Sequence, residues 1–312
     1  TKLPDGENWF NGELQHYTDR EENSFQEDGY LNLVAKKERF TDQNVTKDYT
    51  SARLNSKFAF TYGRVEIRAK LPYGAGTWPA LWFLGKNITE NGGYFAEEFG
   101  TTGWPACGEI DLMEHWGVNQ NFIQSAMHTP SSNGNTQNKG GKYVNDVSNI
   151  FHVYGMIWTA EKIDFTVDGQ LIYTYNPSTK DANTWPFDAD QYMLINTAIT
   201  ADIAGNFTES PMLIDYVRIY DNKEPTNISE TKKDFGFELF PNPTSNRLSI
   251  VYNGAQNTYL VKITDITGKE VYSNTVNNVN QNIDIPDLEN GQYHINIIDG
   301  EKSFTRSFIK ED

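Results

Sequence analysis

The chain has 312 residues, 13% of them aromatic, and a formal net charge of −16. That length accommodates one large and one small domain. The charge excludes nucleic acid and anionic membrane surfaces as partners, because no basic patch is present to release counterions from phosphates. A neutral polymer or a metal ion suits it better. The single cysteine, Cys107, rules out an internal disulfide and reads as a small buried residue. No apolar run approaches the ~20 residues of a membrane span, so membrane insertion is not expected. The N-terminal Thr-Lys-Leu-Pro-Asp has no signal-peptide character.

In chain order, the first strand signals are 31–35 and 63–71, followed by 151–158, 163–167 and 212–220. Each is rich in β-branched and aromatic residues, alternates with period two and ends at Gly, Pro, Asn or Asp. Asp168-Gly169 suits a hairpin turn that needs positive φ. No stretch keeps a 3.6-residue period. Many strands with Gly/Pro-rich turns imply an all-β sandwich or barrel. Near residue 222 the composition turns polar and aperiodic, giving a first domain at 1–222 and a linker at 223–235. A second set of short strands at 248–252, 259–265, 292–298 and 303–310 makes 236–312 a small β-sandwich without room for a deep cleft.

The chemistry concentrates in Glu109-Ile-Asp-Leu-Met-Glu114, with three carboxylates inside six residues. Residues i and i+2 of a strand share a face, so Glu109 and Asp111 point together. Glu114 would point away from them unless a β-bulge near Leu112-Met113 brings it back. With the bulge, all three face one side. Retaining glycosidases need two carboxyl groups about 5–5.5 Å apart. Crowding raises the pKa of one and leaves it a proton to donate. Two other readings stay open at this point: acids on the wet face of a half-exposed strand, and a hard-cation site made by the trio.

The Glu-x-Asp-x-x-Glu segment resembles the bulged signature of glycoside hydrolase family 16. Its flanks agree: 11–18, 60–82, 124–129 and 213–220 resemble the family's other segments, in the family's order. The resemblance implies a β-jelly-roll of two stacked sheets with an open concave cleft. It makes Glu109 the nucleophile, Asp111 its assistant and Glu114 the acid/base. It places His128 near Glu114, and Trp104 and Trp78 as platforms for glucose at the minus side. Asn11 and Arg64 match cleft-lining polar positions. Trp116 belongs to the plus side or to packing, and Trp82 reads as core. Asp215, with the carbonyl of Gly29, matches a structural calcium site carried by many relatives. The Lys86–Gly103 insertion is expected to form a loop at one cleft end. The chain begins after the position of the family's usual first strand, and 201–207 departs from the Gly-Gly-x-Trp stretch of many laminarinases, so a calcium ligand and plus-side contacts are in question. Phe237-Glu-Leu-Phe-Pro-Asn-Pro, with the terminal strands, resembles type IX secretion sorting domains of Bacteroidetes.

The expected activity is retaining endo-hydrolysis of β-1,3-glucan by a secreted monomer that engages the type IX machinery. A mixed-linkage glucanase, an agarase-like hydrolase and a transglycosylase share the chemistry. A glucan-binding lectin is the alternative of a different class.

Overall fold

The computed structural model describes residues 3–4, 6–221, 237–252, 258–277, 280–285, 287–300 and 302–311. It separates into two compact units, Thr1–Glu224 and Pro225–Asp312. The linker read at 223–235 lies outside the described residues.

The first unit opens with β1 (His16–Tyr17), β2 (Ser24–Glu27), β3 (Tyr30–Asp42) and β4 (Val45–Ser51). Then come β5 (Arg53–Phe60), β6 (Gly63–Lys70), β7 (Thr77–Gly85), β8 (Glu109–His115), β9 (Phe122–His128) and β10 (Lys139–Tyr143). It closes with β11 (His152–Trp158), β12 (Ile163–Val167), β13 (Gln170–Tyr175), β14 (Gln191–Ile199) and β15 (Glu209–Tyr220). Two sheets result. One has nine strands in the order β1-β4-β3-β15-β6-β11-β12-β13, with β2 beside β3; the other has six, β10-β9-β8-β7-β14-β5. This is an open β-jelly-roll sandwich.

Strand alternation explains the layers. In β6 the odd residues Val65, Ile67 and Ala69 are fully buried, while Arg64, Glu66, Arg68 and Lys70 face out. They meet Leu81 and Phe83 of β7, Ile110 and Met113 of β8, and Ile123 and Met127 of β9. Each large side chain so buried contributes about 1.5–3 kcal/mol relative to exposure. The outer face of the six-stranded sheet is left to polar and aromatic groups.

Consecutive strands change sheets: β5 joins the six-stranded sheet and β6 the nine-stranded one, across Thr61-Tyr62. Gly63 makes that corner, at φ 146°, where a Cβ would come within 2.7 Å of the Tyr220 carbonyl oxygen. This crossing corrects the sequence reading of Arg64. Arg64 lies on the outside of the sheet opposite the acids, paired with Glu66 and stacked on Tyr220. It does not line the cleft.

The second unit carries a three-stranded sheet, β16 (Phe237–Phe240), β17 (Arg247–Tyr252) and β20 (Asn280–Asp284). A four-stranded sheet contains β18 (Tyr259–Asp265), β19 (Glu270–Val276), β21 (Gly291–Asp299) and β22 (Lys302–Lys310). Leu248, Ile250, Val261, Ile263, Ile295, Ile297 and Phe308 fill its own core.

Candidate active site

The bulge on β8 is present. Pairing with β9 shifts between Asp111 and Glu114, and pairing with β7 shifts between Leu81 and Trp82. Leu112 and Met113 both turn into the core, at 2% and 0% exposure. Ser125 donates its hydroxyl to the Leu112 carbonyl at 2.7 Å and braces the bulge from β9. Glu109, Asp111 and Glu114 therefore emerge on the same face. Register aligns them with Leu84, Trp82 and Ala80 of β7 and with His128, Ala126 and Gln124 of β9.

Each acid has its own partners. Trp104 donates its indole N–H to Glu109 Oε2 at 3.0 Å. Trp78 donates to Glu114 Oε1 at 3.2 Å, and Gln124 approaches the other Glu114 oxygen at 3.5 Å. His128 Nε2 lies 3.2 Å from Asp111 Oδ2 and 3.6 Å from Glu109 Oε1. His128 thus makes its direct contacts with Asp111 and Glu109, while its field also reaches Glu114, near which it was expected. Register is the reason: β9 pairs His128 with Glu109, five residues from Glu114.

Burial dominates the electrostatics. It pushes the Glu114 carboxyl up to about 8, with the Asp111 charge adding and His128, Trp78 and Gln124 subtracting. Glu109 is raised by burial and then by Asp111, against the field of His128 and the Trp104 hydrogen bond; Asp111 is raised by burial. Three desolvated carboxyls this close cannot all ionise near neutrality, so the cluster retains protons. A site of this kind can supply an ionised nucleophile and a protonated acid together.

Trp104 is 45% exposed and open to a ligand. Trp78 and Trp116 stack at 5.5 Å with 25° between rings, beside Glu114. The trio is therefore flanked by one tryptophan at Glu109 and two at Glu114. Asn11 is exposed in the short turn Phe10–Gly12, at φ 58°. Asp215 falls at a register shift in β15 and shares a pocket of about 390 Å³ with Gly29, Asp28 and Glu27. Arg68 is paired with one of its carboxylate oxygens.

Trp82 is not core. It is half-buried on the cleft face, donates to Asn196 Oδ1 at 2.7 Å and carries Arg53 5.3 Å from its ring centre. Asn196 donates to the Tyr17 hydroxyl at 2.9 Å, which donates to Glu13 at 2.9 Å. Arg53 is tied to Glu90 of the 86–103 insertion at 2.5 Å. That insertion, with the helix Ala96–Phe99, packs Phe95 and Ile88 over Leu84, Cys107, Tyr192 and Leu194. Sequence reading missed Arg53, Asn196, Glu13 and Gln124. Glu13 and Gln124 lay inside segments already singled out, 11–18 and 124–129.

Residues 11–218 match the family profile described as Glycosyl hydrolases family 16. The chain belongs to that family. As a family 16 enzyme it is a glycoside hydrolase. It is 47% identical to the LamAcat structure from Zobellia galactanivorans, with a TM-score of 0.65, covering 70% of this chain and 88% of that one. A LamA variant from the same organism, in complex with laminaritriose and laminaritetraose, is 46% identical with TM-score 0.65 and coverage of 70% and 89%. The β-glucanase of Rhodothermus marinus is 38% identical over 232 residues, 69% of this chain and 76% of that protein. Residues 238–311 match the secretion system C-terminal sorting domain. This family 16 hydrolase therefore carries the tail for type IX secretion to the cell surface or the extracellular space. Among the described residues, no helix is long and apolar enough to cross a membrane.

Proposed function

We propose that the chain hydrolyses internal β-1,3-glucosidic bonds of laminarin-type β-glucans with retention of anomeric configuration. The observation that carries this reading is the bulged strand that turns Glu109, Asp111 and Glu114 to one face between Trp104 and the Trp78–Trp116 pair. The kinship to laminarinase structures supports the glucan.

In this mechanism Glu109 attacks the anomeric carbon while Glu114 protonates the departing glycosidic oxygen. A glycosyl-Glu109 ester forms. Glu114, now ionised, takes a proton from water, which cleaves the ester and releases the sugar with its original configuration. Asp111 holds a proton or hydrogen bond between Glu109 and His128 and keeps the nucleophile aligned. Trp104 orients Glu109 through its N–H and presents its ring to a glucose face. Trp78 orients Glu114 through its N–H in the same way, and Trp116 stacks on Trp78 to extend the aromatic surface beside the acid.

A structural calcium ion on the opposite sheet would be held by the Asp215 carboxylate oxygen not paired with Arg68 and by the Gly29 carbonyl, hard oxygens of the kind Ca²⁺ prefers. It would tie the β2–β3 turn to β15 and take no part in the chemistry.

The test is reducing-sugar release from laminarin, lichenan and agarose side by side, with the first-formed anomer followed by NMR. Short oligosaccharides from laminarin, released first as the β-anomer, are expected. First release of the α-anomer would overturn retention. Activity on lichenan or agarose with none on laminarin would overturn the substrate while leaving Glu109 and Glu114 in their roles. Release from none, with laminarin still bound, would support a glucan-binding protein.

A further inference from the structure

We infer that Glu109, Asp111 and His128 form an inhibitory binding site for a borderline-soft divalent cation, of which Zn²⁺ is the type. Among the described residues, these three form the one His/Cys/Asp/Glu group placed to hold a metal, with all ligand atoms within 4.8 Å of one another. The two spacings from the imidazole are close to those of a tetrahedral centre. Zinc bonds to imidazole nitrogen and carboxylate oxygen run about 2.0–2.2 Å, which at tetrahedral angles puts neighbouring ligand atoms about 3.3–3.6 Å apart. His128 Nε2 stands 3.2 Å from Asp111 Oδ2 and 3.6 Å from Glu109 Oε1.

The donors are also unspent. Asp111 has a side chain 5% exposed, and its Oδ2 faces only the fellow ligand His128, with no other hydrogen-bond partner. Glu109 gives Oε2 to the Trp104 indole and keeps Oε1 on the His128 side. That indole is an outer-shell contact that fixes the orientation of a ligand. Three protein ligands with an open fourth position match the arrangement of accessible zinc sites. The His128 Nδ1 has no partner, so the outer shell is incomplete on that side and the affinity is expected to be modest. Glu114 stays outside the set, which separates this site from a three-carboxylate one. The imidazole favours Zn²⁺ and, more strongly, Cu²⁺ over Ca²⁺ and Mg²⁺.

A metal here ties up the Glu109 carboxylate, so cation and substrate exclude each other. Binding depends only on the three donors; inhibition rests on the proposed role of Glu109.

The experiment is calorimetric titration of the full chain, free of any polyhistidine tag and with calcium in excess, with ZnCl₂. One Zn²⁺ per chain is expected, weakened by laminarin oligosaccharide and unaltered by Asp215→Asn. Outer-shell losses cost about 10–100-fold in metal affinity, so His128→Asn and, independently, Asp111→Asn should each cost at least about tenfold. In parallel, Zn²⁺ should suppress reducing-sugar release competitively, whereas Mg²⁺ should not. Unchanged zinc affinity in both variants, or zinc binding indifferent to oligosaccharide, would overturn the site. If the chain hydrolyses no glucan yet loses zinc in both variants, the proposed function fails and the metal site stands. If it hydrolyses laminarin with zinc affinity untouched by either substitution, the reverse holds.

Discussion

The indole N–H of Trp104 reaches Glu109 Oε2 across 3.0 Å, while the same ring lies 5.8 Å from the imidazole of His128. One exposed side chain thus both presents a face to the cleft and steadies the carboxylate proposed as nucleophile. Trp104→Phe keeps a ring and deletes the donor. A hydrogen bond to a charged group is worth about 1.5–3 kcal/mol, so kcat/KM on laminarin should fall about 10–100-fold. Trp104→Ala should also raise KM. Neither should move the melting temperature by much, since the residue is 45% exposed. An unfolded Trp104→Ala protein would mean the ring is structural.

Glu114→Ser should lower turnover about 10²–10⁴-fold, the usual worth of a general acid/base, and Glu109→Ser should leave no measurable hydrolysis. Both proteins should melt at or above the wild-type temperature. Each change removes one of three buried carboxyls whose pKa values are raised by burial. Near-wild-type turnover by either variant would remove that residue from its role.

The strands and the acid cluster were legible because both depend on local pattern. Alternation marks which side chains turn inward, and Glu-x-Asp-x-x-Glu shares a face only through a bulge. Alternation does not say which sheet a strand joins. Arg64 and Arg53 belong to neighbouring strands of opposite sheets, and only the fold separates them. Trp82 looked like core because Leu81, Phe83 and Leu84 surround it, yet its register partner is Asp111. Its polar anchors, Asn196 and through it Tyr17 and Glu13, come from distant segments; 11–18 was singled out as a segment, but nothing local links it to Trp82. The same holds for His128: a segment match placed it in the cleft, but register decides that it meets Asp111 and Glu109.

In its proposed role as acid/base, Glu114 should make activity sensitive to alkali. Its carboxyl is held at about 8 by burial, above the ordinary 4.5. An acid whose folded pKa lies above its unfolded one stabilises the fold fully below about 4.5, and that contribution is lost as pH rises through about 8. Stability should therefore decline over this window. The alkaline limb of kcat/KM should fall near 8, where the proton donor ionises. The Trp78 N–H favours the charged form of Glu114. Trp78→Phe should move the alkaline limb upward, whatever it does to KM. A limb that stays put would mean another group sets it.

His115 works in the opposite direction. It is fully buried behind the acid/base, neither ring nitrogen has a hydrogen-bond partner, and burial pushes its pKa down to about 4. The unfolded chain takes up this proton near 6.5 and the folded one only near 4, so stability is lost as pH falls between those values, by about 3 kcal/mol in all. The carboxyl cluster opposes this slope. The difference between wild type and His115→Leu therefore isolates it. The wild-type urea midpoint should fall relative to that of the variant as pH goes from 7 to 4. Parallel curves would show that His115 finds a partner when protonated.

The position of Glu114 depends on a bulge that Ser125 braces through the Leu112 carbonyl at 2.7 Å, both groups being buried. Ser125→Ala leaves that carbonyl without this donor, at a cost of about 1–3 kcal/mol. If the hydroxyl fixes the bulge, the loss extends beyond stability. Leu112 and Met113 can relax, and the carboxyl of Glu114 then drifts from its line with Glu109. Because a misplacement of about 1 Å can cost on the order of a hundredfold in rate, kcat should fall by at least about tenfold with little change in KM. Ser125→Thr, which keeps the hydroxyl, should recover much of the rate. A Ser125→Ala enzyme that melts earlier yet turns over normally would show that the β7 and β9 ladders hold the bulge on their own. The serine would then be a stabilising contact with no share in aligning the acid.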